Sequence, residues 1–352
     1  MFKTIYVPVD NSAHSGACIE LAVALARRLG AALVGSHVYA ATLHAARFRQ
    51  MEPHLPAPFR DAQAVGRQRS THDGLLATGL RLISDAYLDA MERRCRQEGV
   101  AFERKIFDGQ NYRRLVEDIR GSRYDLVVIG AQGMGAVKES QLGSVCERVV
   151  RRIRTDTLVV KETHAPGAWG QGPIVVGIDG SPQALAGLES ALVLGKAFGR
   201  PVEAVAVYDP SLHFTIFSGL VEVLSEQGKK LFRLKDQERL HEQIIDAGLA
   251  RIYRSHLEVA KTVAAEDGVQ LKTTVLPGKP FQQLLKYVRQ AEGWLLVVGR
   301  IGVHSPLDMD IGSTAENLLR LAPCNVLLSS RGAVPSVEVT SPGLGQATEE
   351  AS

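Results

Sequence analysis

The chain has 352 residues, 45% of them hydrophobic, 22% charged and 6% aromatic, with a formal net charge of +3. This is a globular composition, and at roughly 100 to 200 residues per domain the length calls for two cores. It excludes several classes: no apolar run approaches the roughly 18 residues of a membrane span, and the basic residues are scattered without interleaved aromatics, so neither membrane nor nucleic acid is expected as a partner.

In chain order, residues 1–10 form a short alternating strand ending in turn residues, without the charged head and apolar body of an export signal. Cys18, Cys95, Cys146 and Cys324 show neither CxxC nor metal-ligand spacing. Reduced thiols in a cytoplasmic protein follow. Residues 5–9 are read as a first strand closing on Asp10, and residues 34–39 as a second. Residues 41–75 carry no recognisable secondary structure. Leu80, Ile83, Tyr87 and Met91 have helical spacing that stops at Gly99. Residues 126–129 are the unbroken aliphatic run of a parallel strand buried on both faces, and residues 158–160 close the unit. The segment HAPGAWGQGP, residues 164–173, is a linker rich in Gly and Pro.

The same series then repeats. Strands are read at 174–178, 202–208, 295–298 and 326–328, with a helix start at Ser181-Pro182 and an alternating strand through Val269, Leu271, Thr273 and Val275. An offset of 169 residues carries Asp10 onto Asp179, Ser12 onto Ser181, Gly30 onto Gly199, Tyr39 onto Tyr208 and Gly109 onto Gly278 without slipping. The chain is a duplication. The units span 1–162 and 173–331, joined by 163–172 and followed by a tail, 332–352, without apolar periodicity. Strands alternating with helices imply right-handed crossovers, so each unit is expected to be a doubly wound, Rossmann-like α/β layer with a parallel sheet. Such sheets bind ligands beyond the carboxyl ends of their strands.

Each fourth strand runs into G-x-x-G-x(9)-G-S: GAQGMGAVKESQLGS at 130–144 and GRIGVHSPLDMDIGS at 299–313. Glycine at a strand exit lets backbone approach a ligand closely, and the closing Gly-Ser opens a helix whose free amides suit a phosphate. The Ser hydroxyl is free to cap that helix or to bond a phosphate oxygen. Asp10 and Asp179 read either as turn formers at a strand exit or as partners of a ribose hydroxyl or a polar adenine edge.

On these loops, the preceding strands and the ending GSTAENLLRLAPCNVLL, the chain resembles a tandem member of the universal stress protein family, of its ATP-binding type. The resemblance implies a five-stranded parallel sheet in order 3-2-1-4-5 in each unit, packing as an intramolecular pseudo-dimer through the fifth strands, and an ATP, ADP or AMP site, with Mg as a possible companion. It also implies which residues touch the nucleotide: Asp10, Val38, Ile129, Gly130, Gly133, Gly143, Ser144 and Val145 in the first unit, and Asp179, Val207, Val298, Gly299, Gly302, Gly312, Ser313 and Thr314 in the second. A stress-response regulator with an unidentified protein partner is the expected role, a homodimer of the tandem chain one expected assembly. A slow ATPase and a nucleotide-free scaffold are the alternatives. The chain lacks GxSxG, GxxxxGK[ST] and any recognisable Cys/His pair, so no catalytic residue is assigned.

Residues 1–165 carry 24 Lys and Arg against 18 Asp and Glu, and residues 166–330 carry 16 against 17. In the second loop Arg300 is outweighed by Asp308 and Asp310, whose charge would repel phosphate. The first unit is therefore expected to bind nucleotide better. His44 recurs as His213 and His72 as His241, but without a full metal motif they are read as helix-face histidines, under or near a segment suited to be a ligand lid. Residues 214–224 are read as buried, and the arginines at 93–96 and 151–154 as solvated helix ends.

Overall fold

Ten strands form, eight of them on apolar runs and two, the outer strands of the sheet, on partly exposed segments. The computed structural model describes residues 1–56, 61–137, 140–163, 171–210, 246–303, 305 and 309–332. The first unit contributes β1 (Thr4–Pro8), β2 (Ala32–Tyr39), β3 (Phe102–Asp108), β4 (Leu126–Gly130) and β5 (Asp156–Val160), and the second β6 (Ile174–Gly177), β7 (Val202–Tyr208), β8 (Lys272–Pro277), β9 (Leu295–Gly299) and β10 (Asn325–Ser329). Their order is β3-β2-β1-β4-β5-β10-β9-β6-β7-β8. Each unit is thus parallel in order 3-2-1-4-5, and the two share one continuous sheet.

At the join β5 and β10 run antiparallel, with Val159 opposite Val326, Leu158 opposite Leu327 and Thr157 opposite Leu328. Leu158 and Leu327 are separated by the repeat offset, so a pseudo-twofold axis passes between them. Two strands with every residue buried cover each other, which removes two apolar edges. Side chains alternate across the sheet: Ile5, Leu33 and Ile174 pack under one helix layer, Tyr6, Val34 and Val175 under the other. The first layer holds α1 (Ala13–Leu29), α3 (Ala62–Gln97), α6 (Pro182–Phe198) and α7 (Asp246–Glu266). The second holds α4 (Asn111–Gly121), α5 (Ser144–Arg152), α8 (Pro280–Gln290) and α9 (Ser313–Leu321).

A polar framework around the axis repeats with the same symmetry. The Asp156 carboxylate accepts the backbone amides of Ser330 at 2.7 Å and Arg331 at 3.3 Å; its counterpart, the Asn325 amide oxygen, accepts those of Lys161 at 2.9 Å and Glu162 at 3.3 Å. Helices α5 and α9 are cross-linked by Arg320 to Glu147 at 2.6 Å and by the equivalent pair Arg151 to Glu316. Two cations, the half-buried Lys161 and the buried Arg300, cap the facing helix ends, where carbonyls lack partners. Lys161 Nζ donates to the carbonyls of Arg320 at 2.9 Å and Ala322 at 2.7 Å, and Arg300 Nη1 donates to the Val150 carbonyl at 2.6 Å.

Burial lowers the Lys161 pKa from the ordinary 10.5 to about 8. The unfolded chain then holds one proton more than the folded chain between those two values, and stability from this group rises with pH. Wild type should gain melting temperature relative to Lys161→Met from pH 8 to about 10.5 and level off above. A difference independent of pH across that window would contradict this ionisation.

Four expectations are corrected. Residues 41–75 are largely helical: α2 (Ala41–Met51) is followed by a short 3₁₀ turn (Glu52–His54) and by the start of α3. This part of α3 stands on α2 rather than on the sheet, through Arg69 Nε to Glu52 at 2.6 Å and the ring of His72 stacked on those of His44 and Phe48, so it has no apolar stripe to betray it. Further along, Ile83 is exposed; the face under which the sheet lies runs through Ser84, Leu88, Met91 and Cys95. Of the arginines read as solvated helix ends, two are engaged instead: Arg94 binds Glu20 at 3.0 Å and Glu98 at 2.6 Å, and Arg151 bridges the units, whereas Arg93, Arg96, Arg152 and Arg154 are exposed. The strand expected from Val269 starts at Lys272, because the Val269 amide still closes the end of α7 on Ala264. His213, His241, residues 214–224 and most of the linker and tail lie outside the described residues. All four cysteines are free and buried, and among the described residues no helix is long and apolar enough to cross a membrane.

Candidate functional site

At the carboxyl ends of β1 and β4, where the strand order reverses, the chain leaves β1 through Asp10 and turns at Asn11, which adopts φ 62°. Asparagine tolerates that left-handed conformation; the counterpart is Gly180, φ 85°, where the His256 ring leaves no room for a side chain. Ser12 then caps α1 by accepting the Ser15 amide at 3.1 Å, as Ser181 caps α6 through Ala184 at 3.2 Å.

The aspartate straps this turn to the glycine loop. Asp10 Oδ1 accepts the Ser12 amide at 3.1 Å and Oδ2 the Met134 amide at 3.0 Å. In the second unit Asp179 takes Ser181 at 2.9 Å and Val303 at 3.0 Å. The turn-forming reading of the aspartate is therefore realised in both units. It also explains the second glycine of the motif: a Cβ on Gly133 would overlap Asp10 Oδ2, and one on Gly302 would lie 2.8 Å from Asp179 Oδ2. The motif glycines all have negative φ, so close approach and not left-handed backbone selects them. The loop closes where the Gly143 amide donates to the Ala131 carbonyl at 2.7 Å, and Gly312 to Arg300 at 2.8 Å.

Helix α5 begins at Ser144 with Gly143 as its cap, and α9 at Ser313 with Gly312 as its cap; neither has a side-chain cap. The serine hydroxyls do not cap these helices, contrary to one of the two roles open to them. The first intrahelical amide bond is Glu147 to Gly143 at 3.0 Å, with Glu316 to Gly312 at 2.9 Å as its equivalent. The amides of Ser144, Val145 and Cys146 thus precede any helical acceptor and carry the positive end of the helix dipole.

These elements enclose a cavity of about 380 Å³ that brings together Asp10, Val38, Ile129, Gly130, Gly133, Gly143, Ser144 and Val145. A smaller one, about 250 Å³, brings together Asp179, Val207, Val298, Gly299, Gly302, Gly312, Ser313 and Thr314. All sixteen residues picked out in the sequence converge, eight on each cavity. The polar residues Ser36, His37, Asn111 and Gln132 also line the first. Ser36 and His37 immediately precede Val38, and Gln132 sits inside the motif, so position alone could have found them; Asn111 opens α4, far along the chain. Burial pushes the His37 imidazole below its ordinary pKa, and its Nδ1 lies 2.8 Å from Ser84 Oγ.

The two cavities are not equivalent. At the repeat offset Ser36 becomes Val205, His37 becomes Ala206, Asn111 becomes Pro280 and Gln132 becomes Ile301, while Tyr253 of α7 enters the second cavity where the first unit has Ser84. Arg300, counted above with the second loop's charges, does not serve that cavity: it is fully buried and donates its Nε to Ser330 Oγ at 2.7 Å. Asp310 is drawn to Arg154 at 3.7 Å; Lys138, Glu139 and Asp308, on which the contrast in loop charge also rests, lie outside the described residues, and the contrast between the described parts is one of cavity lining.

Among solved structures, a universal stress protein from Archaeoglobus fulgidus covers 94% of this chain and 98% of its own, with TM-score 0.59 and 17% identity. A functionally unknown protein from Pseudomonas aeruginosa covers 93% and 92%, with TM-score 0.57 and 15% identity. At such identities the likeness is one of fold. A universal stress protein of Mycobacterium tuberculosis is 29% identical over 204 residues, 58% of this chain and 62% of that relative, so the chain matches under two thirds of the relative's length. The universal stress protein family profile matches twice, at residues 1–161 and 172–330, and with both units accounted for, the chain belongs to the universal stress protein family.

Proposed function

We propose that the chain is an adenine-nucleotide-binding regulatory protein whose principal site is the first-unit cavity. The observation that carries this reading is the set of α5 amides at Ser144, Val145 and Cys146, free of helical acceptors, in a cavity that also holds the Asp10 carboxylate and the polar end of β2. Such a helix start stabilises a phosphate, and the carboxylate and β2 backbone offer acceptors and donors to a ribose and a base. The volume, about 380 Å³, lies within the roughly 300 to 1,000 Å³ of small-molecule sites. The second cavity, about 250 Å³, falls below that range and has Val205, Ala206 and Pro280 where the first presents hydrogen-bonding groups. Weaker binding by the second unit follows. Bound nucleotide would order the glycine loop and present a nucleotide-dependent surface to a protein partner.

Chromatography of nucleotide extracted from the purified chain tests the reading. AMP or ATP at about 100 times its Kd should also stabilise the chain by about 2.7 kcal/mol. Neither bound nucleotide nor a rise in melting temperature would overturn it. By calorimetry, Gly143→Val should remove most AMP binding and Gly312→Val little, with melting of the ligand-free variants confirming that both fold. Equal losses would overturn the ranking of the two sites.

A further inference from the structure

A third cavity, of about 300 Å³, opens between the units and shares no lining residue with either glycine-loop cavity. The first unit contributes α1 and the end of α3, the second Phe198 at the end of α6 and Arg200 after it, with Gln171 ahead of β6. Four arginines line it, Arg27, Arg28, Arg94 and Arg200, against two carboxylates, Glu20 and Glu98. Both carboxylates are already taken. Arg94 binds Glu20 at 3.0 Å and Glu98 at 2.6 Å, and Arg27 binds the other oxygen of Glu98 at 2.6 Å.

Arg28 and Arg200 remain, and among the described residues neither lies within ion-pairing distance of a carboxylate. Two rings, tilted by 46° to each other, hold them instead. The Arg28 guanidinium sits 4.6 Å from the centroid of Phe198, Phe198 lies 5.0 Å from Trp294, and Arg200 sits 5.2 Å from Trp294. A guanidinium held by its face keeps its in-plane N–H groups, a fixed fork suited to phosphate. Arg200 Nη1 is enclosed by protein and has no acceptor among the described residues. At the repeat offset Arg28 and Arg200 correspond to Ala197 and Ala31, so the fold alone does not demand this pair.

We propose that this inter-unit cleft binds a compact oligophosphate anion, gripped by the in-plane edges of Arg28 from one unit and Arg200 from the other. Inorganic oligophosphate and the phosphate tail of a free nucleotide share that chemistry. The site is independent of the glycine loops, and its ligand would clamp the two units together.

The test is calorimetry on the full chain at low salt with saturating AMP, titrating sodium tripolyphosphate and, separately, ATP. Wild type should bind tripolyphosphate; Arg28→Gln/Arg200→Gln should weaken it about tenfold or more, since charge-assisted bidentate contacts are lost. Arg28→Lys, altering an exposed side chain, should fall between. Gly143→Val should leave the affinity unchanged, and this arm separates the cleft from the loops even if the loops take no AMP. ATP following the same ranking admits the nucleotide tail as a source; ATP without it restricts the site to the inorganic anion. Melting of the ligand-free variants checks their folding. Absence of AMP-insensitive binding of tripolyphosphate, wild-type affinity in the double variant, or loss of binding in Gly143→Val would each overturn the proposal.

Discussion

Asp156→Ala is expected to lower the unfolding free energy by about 3 to 5 kcal/mol, the cost of breaking a buried charged hydrogen-bond group. The Asp156 side chain is fully buried, and besides the two backbone amides it accepts Arg331 Nε at 2.9 Å. All three donors belong to the other unit. Truncation leaves the Ser330 amide buried without an acceptor and Arg331 with only the more distant Glu189, at 3.9 Å, as counter-ion. Asp156→Asn should cost far less, because the second unit already uses Asn325 at the equivalent position to receive Lys161 and Glu162. Urea unfolding measures both; an alanine variant within about 0.5 kcal/mol of wild type, the range of an ordinary surface change, would show that the join does not depend on this carboxylate.

Gly133→Val is the second large effect, and it acts on binding. The new Cβ would occupy the place of Asp10 Oδ2, so the carboxylate must release the Met134 amide and the loop must leave the mouth of the cavity. AMP affinity should fall about 100-fold, equivalent to about 2.7 kcal/mol. Gly302→Val, which disturbs the corresponding contact with Asp179, should leave the first site within about threefold of wild type. A Gly133→Val protein that binds AMP like wild type would mean that the strap and the ligand site are unrelated.

Both predictions lean on features read at different depths of the sequence. The central strands were legible because parallel strands buried on both faces must be unbroken aliphatic runs, as in Leu126–Gly130 and Leu295–Gly299, and because the repeat fixed such runs twice. The glycines, Asp10 and Asp179 were legible for the same reason. Helix α2 and the first turns of α3 were not, since they pack on each other and show the sheet no apolar stripe. Nor was β3, whose FERK start is charged and only partly buried, and the strand order came from the family resemblance. Arg300 was misjudged as a loop charge because spacing along the chain cannot tell a side chain that enters the cavity from one that crosses to the Val150 carbonyl. Tyr253 had no signal, its counterpart being Ser84.

The antiparallel pairing of β5 with β10 has one more consequence. A pair of separate, identical chains joined at such an edge would depend on concentration for its assembly and would have to carry every substitution twice. Here the partner edge is supplied by the same polypeptide, so the pairing survives dilution, and each half is released from resembling the other. Substitutions such as Asn111 against Pro280 or Arg28 against Ala197 are open only to a molecule of this kind: tandem linkage turned a symmetric scaffold into one whose two halves can acquire different tasks.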